Sequence, residues 1–281
     1  MLSQILVVST SAGSEQDRRP DEIPYGDNAS VGKYARVNGI NMYYEIYGKG
    51  DPLVLIHGNE GSIADMRYQI PFFAKNYRVI IADSREQGKS TGDGKRITYE
   101  QMALDLTVLM DHLNVDSAYV VGWSDGGIIG LLLAIHHSAK VKKLAVMGAN
   151  LQPDSTAVHS WAINWVRKRE KAADDSIQRG VSIQTWQHEK RMLDLLGNQP
   201  HIPQDHLGRI QAPTLVMSGD KDVIREEHTL KIYQSIPKAH LCIFPGATHV
   251  IPIEDPNVFN QTVFRFFQQP FSRPDTKFLF K

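Results

Sequence analysis

From Leu53 onward, short apolar runs recur along the chain: Leu53 to Ile56, Val79 to Ala82, Tyr119 to Val121, Leu144 to Met147, Thr214 to Met217 and His240 to Phe244. Runs of this length without polar alternation are expected of strands buried on both faces of a mainly parallel sheet. Amphipathic stretches separate them. Tyr99 to Leu113 places Met102, Leu106, Leu109, Met110 and Leu113 on one face, which predicts a helix packed on the sheet, with Thr98 as its N-cap. Ile128 to Ile135 is apolar nearly all round and predicts a helix buried against the sheet centre. Ahead of these, Tyr34 to Tyr47 carries two β-favouring runs around Asn38-Gly39, the signature of a hairpin.

Two stretches depart from the alternation. Residues 1–33 lack an apolar period from Gly13 on and are rich in charge, proline and glycine, so they are expected to form an extended N-terminal arm. Residues 150–208 contain no strand pattern but set Trp161, Trp165, Trp186, Met192 and Leu193 among many charges. That mixture predicts several short amphipathic helices forming a cap inserted into a core of residues 34–149 and 209–281. The tryptophans are expected either to pack the cap onto the core or to wall a pocket.

A chain of 281 residues, 42% of them hydrophobic, can bury one sizeable core. Its 31 basic and 31 acidic residues balance, so net charge draws it neither to nucleic acid nor to an anionic membrane, and neither is expected as a partner. No apolar run approaches the roughly 20 residues needed to span a bilayer. A cytoplasmic location is expected. The short apolar start at Leu2 to Val8, lacking a basic n-region, leaves an exported or periplasmic location as the alternative. The single cysteine, Cys242, sits in an apolar run and is expected to be a buried structural thiol. No metal-ligand cluster or phosphate-binding loop is present, so no metal and no cofactor is expected; the oligomeric state is open.

The chemistry centres on Gly122-Trp123-Ser124-Asp125-Gly126, a G-x-S-x-G pattern directly after a strand and directly before an apolar helix. A serine on so tight a turn is exposed as a nucleophile, and the new helix aims its first N–H groups at developing negative charge. Serine needs a base to take its proton, and the base needs a carboxylate to orient it. His249, in the Gly246-Ala247-Thr248-His249 loop after the last strand, suits the base. The loop Ser218-Gly219-Asp220-Lys221-Asp222 offers two acids; Asp222 is the expected partner of His249, and Asp220 is expected to stabilise the turn. For the oxyanion, the N–H groups of Asp125 and of Asn59, in the loop after the first parallel strand, are the expected donors. His57 in that loop is read as a brace. Asp125, Glu60 and Trp123 are candidate substrate-binding residues, and the two carboxylates would suit an amine-bearing substrate.

With His57-Gly58, then Asp83-Ser84-Arg85-Glu86-Gln87-Gly88-Lys89-Ser90, then the elbow, the acid loop and the histidine, the chain from Tyr34 onward resembles the α/β-hydrolase superfamily. The Trp-Ser-Asp-Gly-Gly elbow is similar to the valacyclovir-hydrolase-like and proline-iminopeptidase-like branch. The resemblance implies an α/β-hydrolase fold with an inserted helical cap and a serine hydrolase acting on a small-molecule ester or amide through an acyl-enzyme. It also implies bracing roles for Asp83 and Arg85. Cofactor-free haloperoxidase and C–C bond hydrolase chemistries use the same triad, and a ligand receptor with slow or no turnover is the alternative of another class. At Glu86 the family pattern has glycine, so this position must either carry an unusual backbone angle or mark a reshaped loop.

Overall fold

The computed structural model describes residues 23–280. The export-signal reading and most of the expected arm, within residues 1–22, lie outside the described residues. The Asn-Gly hairpin forms as expected: β1 (Lys33–Val37) and β2 (Ile40–Tyr47) pair antiparallel about Asn38 and Gly39, whose φ angles of 41° and 86° match the twist of the strands. Strands and helices then alternate through β3 (Asp51–Ile56), α1 (Ile70–Phe73), β4 (Tyr77–Ala82), α2 (Tyr99–His112), β5 (Ala118–Trp123), α3 (Asp125–His136) and β6 (Val141–Met147). After α4 (Ser160–Gln178) and α5 (Ile183–Asn198) the alternation resumes with β7 (Thr214–Lys221), α6 (Glu226–Ser235), β8 (Ala239–Thr248), α7 (Ile251–Glu254) and α8 (Pro256–Gln268).

The eight strands form one sheet in the order β1-β2-β4-β3-β5-β6-β7-β8. It is parallel from β4 to β8 and antiparallel only where β2 meets β1 and β4. Side-chain alternation splits the core into two layers. On β5, Val120 packs with α2 and α3, whereas Val121 and Trp123 point to the other face, among Phe259, Phe266 and Phe267 of α8. Thr98 caps α2, its hydroxyl accepting from the Gln101 N–H at 3.1 Å.

Hydrophobic runs mark only the covered part of a strand. β7 and β8 continue past the expected ends into Ser218–Lys221 and Pro245–Thr248, where backbone pairing goes on after the apolar residues stop. β8 is also an edge strand, so Leu241 and Ile243 stay partly exposed. For the same reason Cys242 is only half-buried, contrary to the buried thiol expected of it.

Residues 150–208 form two long helices, α4 and α5, of 19 and 16 residues, rather than several short ones. Few of their side chains are buried: Ala162, Ala173 and Ser176 on α4, and Met192, Leu193 and Leu195 on α5. Trp161 is 52% exposed, and Trp165 and Trp186 are half-buried. Among the described residues no helix is long and apolar enough to cross a membrane.

Candidate active site

Ser124 is the single residue between β5 and α3, with φ 57° and ψ −121°, a strained conformation for an L residue. Two close approaches hold it there. A Cβ on Gly122 would stand 2.0 Å from the Gly126 carbonyl oxygen, and one on Gly126 would stand 2.2 Å from that of Ile56. Glycine at both positions is therefore what lets the chain reverse so tightly against β3. The Ser124 N–H donates to Met147 O at 2.8 Å, continuing the β5–β6 ladder, and its own carbonyl accepts from Gly127 and Ile128 as α3 begins.

The extended β7–β8 ladder ends with Lys221 opposite Thr248, so the next residue on each strand, Asp222 and His249, emerges beside the other. His249 Nδ1 lies 2.6 Å from Asp222 Oδ1, and His249 Nε2 lies 2.9 Å from Ser124 Oγ. The second carboxylate oxygen of Asp222 accepts from Ser218 Oγ at 3.2 Å, and Oδ1 also accepts from the Ile224 N–H at 3.0 Å. Asp220 points away from the imidazole and accepts from the Gly246 N–H at 2.9 Å, tying the two loops together.

Burial opposes the charged form of both His249 and Asp222, and in both cases the partner outweighs it. The charge of Asp222 and its hydrogen bond, with Asp125 behind, raise the His249 pKa above the ordinary imidazole value. The His249 charge and hydrogen bond, together with the Ile224 and Gly219 N–H groups, hold Asp222 below the ordinary carboxylate range. The two shifts leave His249 and Asp222 as a mutually stabilised pair, with His249 Nε2 beside Ser124 Oγ.

The loop after β3 lies against Ser124, where a Cβ on Gly58 would stand 3.2 Å from the Ser124 Cβ. His57 is fully buried; its Nε2 accepts from the Ser84 N–H at 2.9 Å, so Nδ1 carries the proton and donates to Gly58 O at 2.7 Å. Asn59 Nδ2 donates to Asp125 Oδ2 at 2.8 Å and, at 3.4 Å, to Met192 O of α5. The next loop is braced as expected: Asp83 accepts from the Ile63 and Lys89 N–H groups at 2.8 and 2.7 Å. Arg85 forks onto Asp105 with two contacts of 2.8 Å. Glu86 has φ 60°, the unusual angle that its departure from glycine requires.

A cavity of about 240 Å³ opens over Ser124 and His249. Asp125 and Tyr99 border it on the sheet side, and Ala162, Ile163, Val166 and Arg167 of α4 border it opposite. Asp125 is buried, and burial pushes its carboxyl above the usual range against the hydrogen bond from Asn59. Two of the three candidate binding residues stand elsewhere. Trp123 follows the strand alternation to the face opposite α3, where its indole N–H donates to His249 O at 2.7 Å; it braces the histidine from behind. Glu60 is half-buried outside the cavity lining, with its pKa pushed up to about 7 by burial and by Glu189 and Asp125, against Arg169. None of the three tryptophans of α4 and α5 borders the cavity. Tyr99 and Arg167 do, and sequence reasoning missed both: Tyr99 reads as the first core position of α2 and Arg167 as one of many charges on α4. Among the described residues no group of three or more His, Cys, Asp or Glu side chains is placed to hold a metal.

A family model for the alpha/beta hydrolase fold matches residues 51–180. The human serine hydrolase BPHL is 25% identical, over 94% of this chain and 96% of the relative. A putative carbamate hydrolase RutD from Azorhizobium caulinodans is 24% identical, over 83% of this chain and 97% of the relative. Among solved structures, a meta-cleavage product hydrolase from Pseudomonas fluorescens IP01 superposes with a TM-score of 0.68 at 22% identity, covering 86% of this chain and 99% of that one.

Proposed function

The chain belongs to the α/β-hydrolase superfamily and is a hydrolase, and from that premise we propose that it cleaves a small carboxylic ester or amide through an acyl-enzyme formed on Ser124. One observation carries the reading: the unbroken hydrogen-bond chain Ser124 Oγ to His249 Nε2, then His249 Nδ1 to Asp222 Oδ1, beneath a cavity of a small molecule's size. In this reading His249 takes the Ser124 proton as Oγ attacks the substrate carbonyl, and Asp222 stabilises the imidazolium. The N–H groups of Asp125, at the start of α3, and of Asn59 receive the oxyanion. His249 then gives the proton to the leaving group, which departs as alcohol or amine. A water, deprotonated by His249, attacks the acyl-enzyme and frees the acid and Ser124.

Residues 150–208 act as the cap in this scheme, with α4 supplying one wall of the cavity. That wall is mixed: Ala162, Ile163 and Val166 suit a short acyl or alkyl group, while Arg167 and Glu170 bring charge to the same face. Asp125, the one candidate binding residue that borders the cavity, favours a cationic group such as the amine of an aminoacyl ester.

Hydrolysis of p-nitrophenyl esters, aminoacyl esters and simple amides by wild type and Ser124→Ala tests the proposal. Wild type is expected to turn over at least the activated esters, and Ser124→Ala to lose about 10³-fold or more while keeping its melting temperature. Equal rates in the two proteins would refute it. Including a 2-hydroxy-6-oxo-dienoate in the panel separates ester or amide chemistry from C–C bond hydrolysis on the same residues.

A further inference from the structure

Glu86 stands where the family pattern has glycine, and it keeps a glycine-like backbone, φ 60°. A side chain held at such an angle is strained, so its retention calls for a role that glycine could not fill. The carboxylate has one. Oε2 accepts from Arg191 Nε at 2.7 Å and Oε1 from Arg191 Nη2 at 2.6 Å, a bidentate fork between the core loop and α5. The same guanidinium donates to Lys95 O at 2.5 Å. Space for the Glu86 side chain comes from Gly92, where a Cβ would stand 2.2 Å from Glu86 Oε1.

This contact differs from the other ion pairs of the two helices. Arg169–Glu189 and Lys190–Asp174 join α4 to α5 and leave their seating on the core untouched. Arg96–Asp194 reaches the core, but at 3.5 Å with side chains 63% and 43% exposed, a geometry worth little in water. Arg191–Glu86 is bidentate, and the carboxylate is only 13% exposed. The residue after Arg191 is Met192, fully buried, whose carbonyl accepts from Asn59 Nδ2. The same Asn59 Nδ2 holds Asp125 Oδ2.

We propose that Glu86 and Arg191 are a positioning pair for the reaction at Ser124: their fork seats α5 so that Met192 holds Asn59, and Asn59 holds Asp125, in the arrangement the oxyanion needs. The proposal rests on the assignment of Asn59 and Asp125 as oxyanion donors. It makes the rate at Ser124 depend on how the cap is seated.

A double-mutant cycle on the full chain tests it, with Glu86→Gly, Arg191→Gln and the double variant assayed on a p-nitrophenyl ester. Glu86→Gly suits φ 60° and is expected to fold at least as well as wild type. Each single variant is expected to lose roughly three- to tenfold in kcat, and the double variant no more than either single one. Losses that multiply in the double variant, or that fall on KM with kcat unchanged, would overturn the proposal. Should Arg191→Gln fail to fold, Arg191→Lys keeps the charge without the fork and carries the same expectation. A wild type that lacks turnover and is not labelled at Ser124 would instead sink the reading beneath; normal labelling with multiplying losses would sink this proposal alone.

Discussion

Ser124 and Arg167 border the same cavity from two bodies held together in different ways. The Ser124 side is fixed by backbone. Its turn is pressed between Ile56 and Met147 through glycines that admit no Cβ, and its partners Asp222 and His249 leave the ends of two paired strands. The Arg167 side is two long helices with few buried side chains, joined to each other through charged groups such as Arg169–Glu189 and to the core through Met192 and Leu195 of α5 and the Arg191–Glu86 pair. Close-packed backbone has little room to adjust, whereas ion pairs and half-buried tryptophans tolerate change. In the proposed reaction the substrate lies between a backbone-fixed Ser124 on one side and a more adaptable wall on the other.

The contrast can be broken or sharpened by substitution on each side. Asp222→Asn should lower kcat/KM on an activated ester by about 10³- to 10⁴-fold, because the histidine loses the carboxylate that orients and charges it. Asp220→Asn, changing a group bonded to the Gly246 N–H, should cost less than about tenfold. The reverse ranking would move the acid to Asp220. Next in size, Gly126→Ala forces a Cβ to 2.2 Å from the Ile56 carbonyl and should destabilise the fold by about 3 kcal/mol, read from urea unfolding. An unchanged midpoint would show that the elbow is not as tightly held as its geometry requires.

The pH profile tests the charge balance of the rigid side. His249 must be neutral to act as base, and its pKa is raised above the ordinary imidazole value, so kcat/KM should fall as pH drops through a pKa higher than that of a free imidazole. Residual activity in Asp222→Asn should lose this limb to lower pH, since the group that raises the pKa is gone. A limb that stays in place would separate the titration from His249. Smallest of all, Trp161→Ala, at a site 52% exposed on α4, should change stability by no more than about 0.5 kcal/mol. A large loss would mean that the helical side is packed far more firmly than its exposure indicates.

The same division governs how far the sequence could be read. Buried strands, the hairpin at Asn38-Gly39 and the Thr98 cap rest on local chemistry, and each is found where that chemistry puts it. The approach of Ser124, Asp222 and His249 followed from requiring a nucleophile, a base and an acid at strand ends, although the strand extension that delivers Asp222 and His249 side by side has no hydrophobic signal. Whatever depended on which way a side chain points beyond the core was harder. Trp123 turned out to face away from the cavity because strand alternation sends it there, a deduction open to the sequence once Val120 is placed against α3. Tyr99 and Arg167 had no such signal, since their roles depend on where α4 comes to rest over the sheet. Glu86 was visible as a departure from pattern, but its partner Arg191, 105 positions away, was not.

The most direct measurement is peptide-level mass spectrometry of wild type and His249→Ala after treatment with a fluorophosphonate. A stoichiometric adduct on the peptide containing Ser124 in wild type, formed at least about 10³-fold more slowly in His249→Ala, is the predicted result. An adduct on another serine, or one that forms on Ser124 equally fast without His249, would contradict the claim that this serine is a nucleophile activated by that histidine.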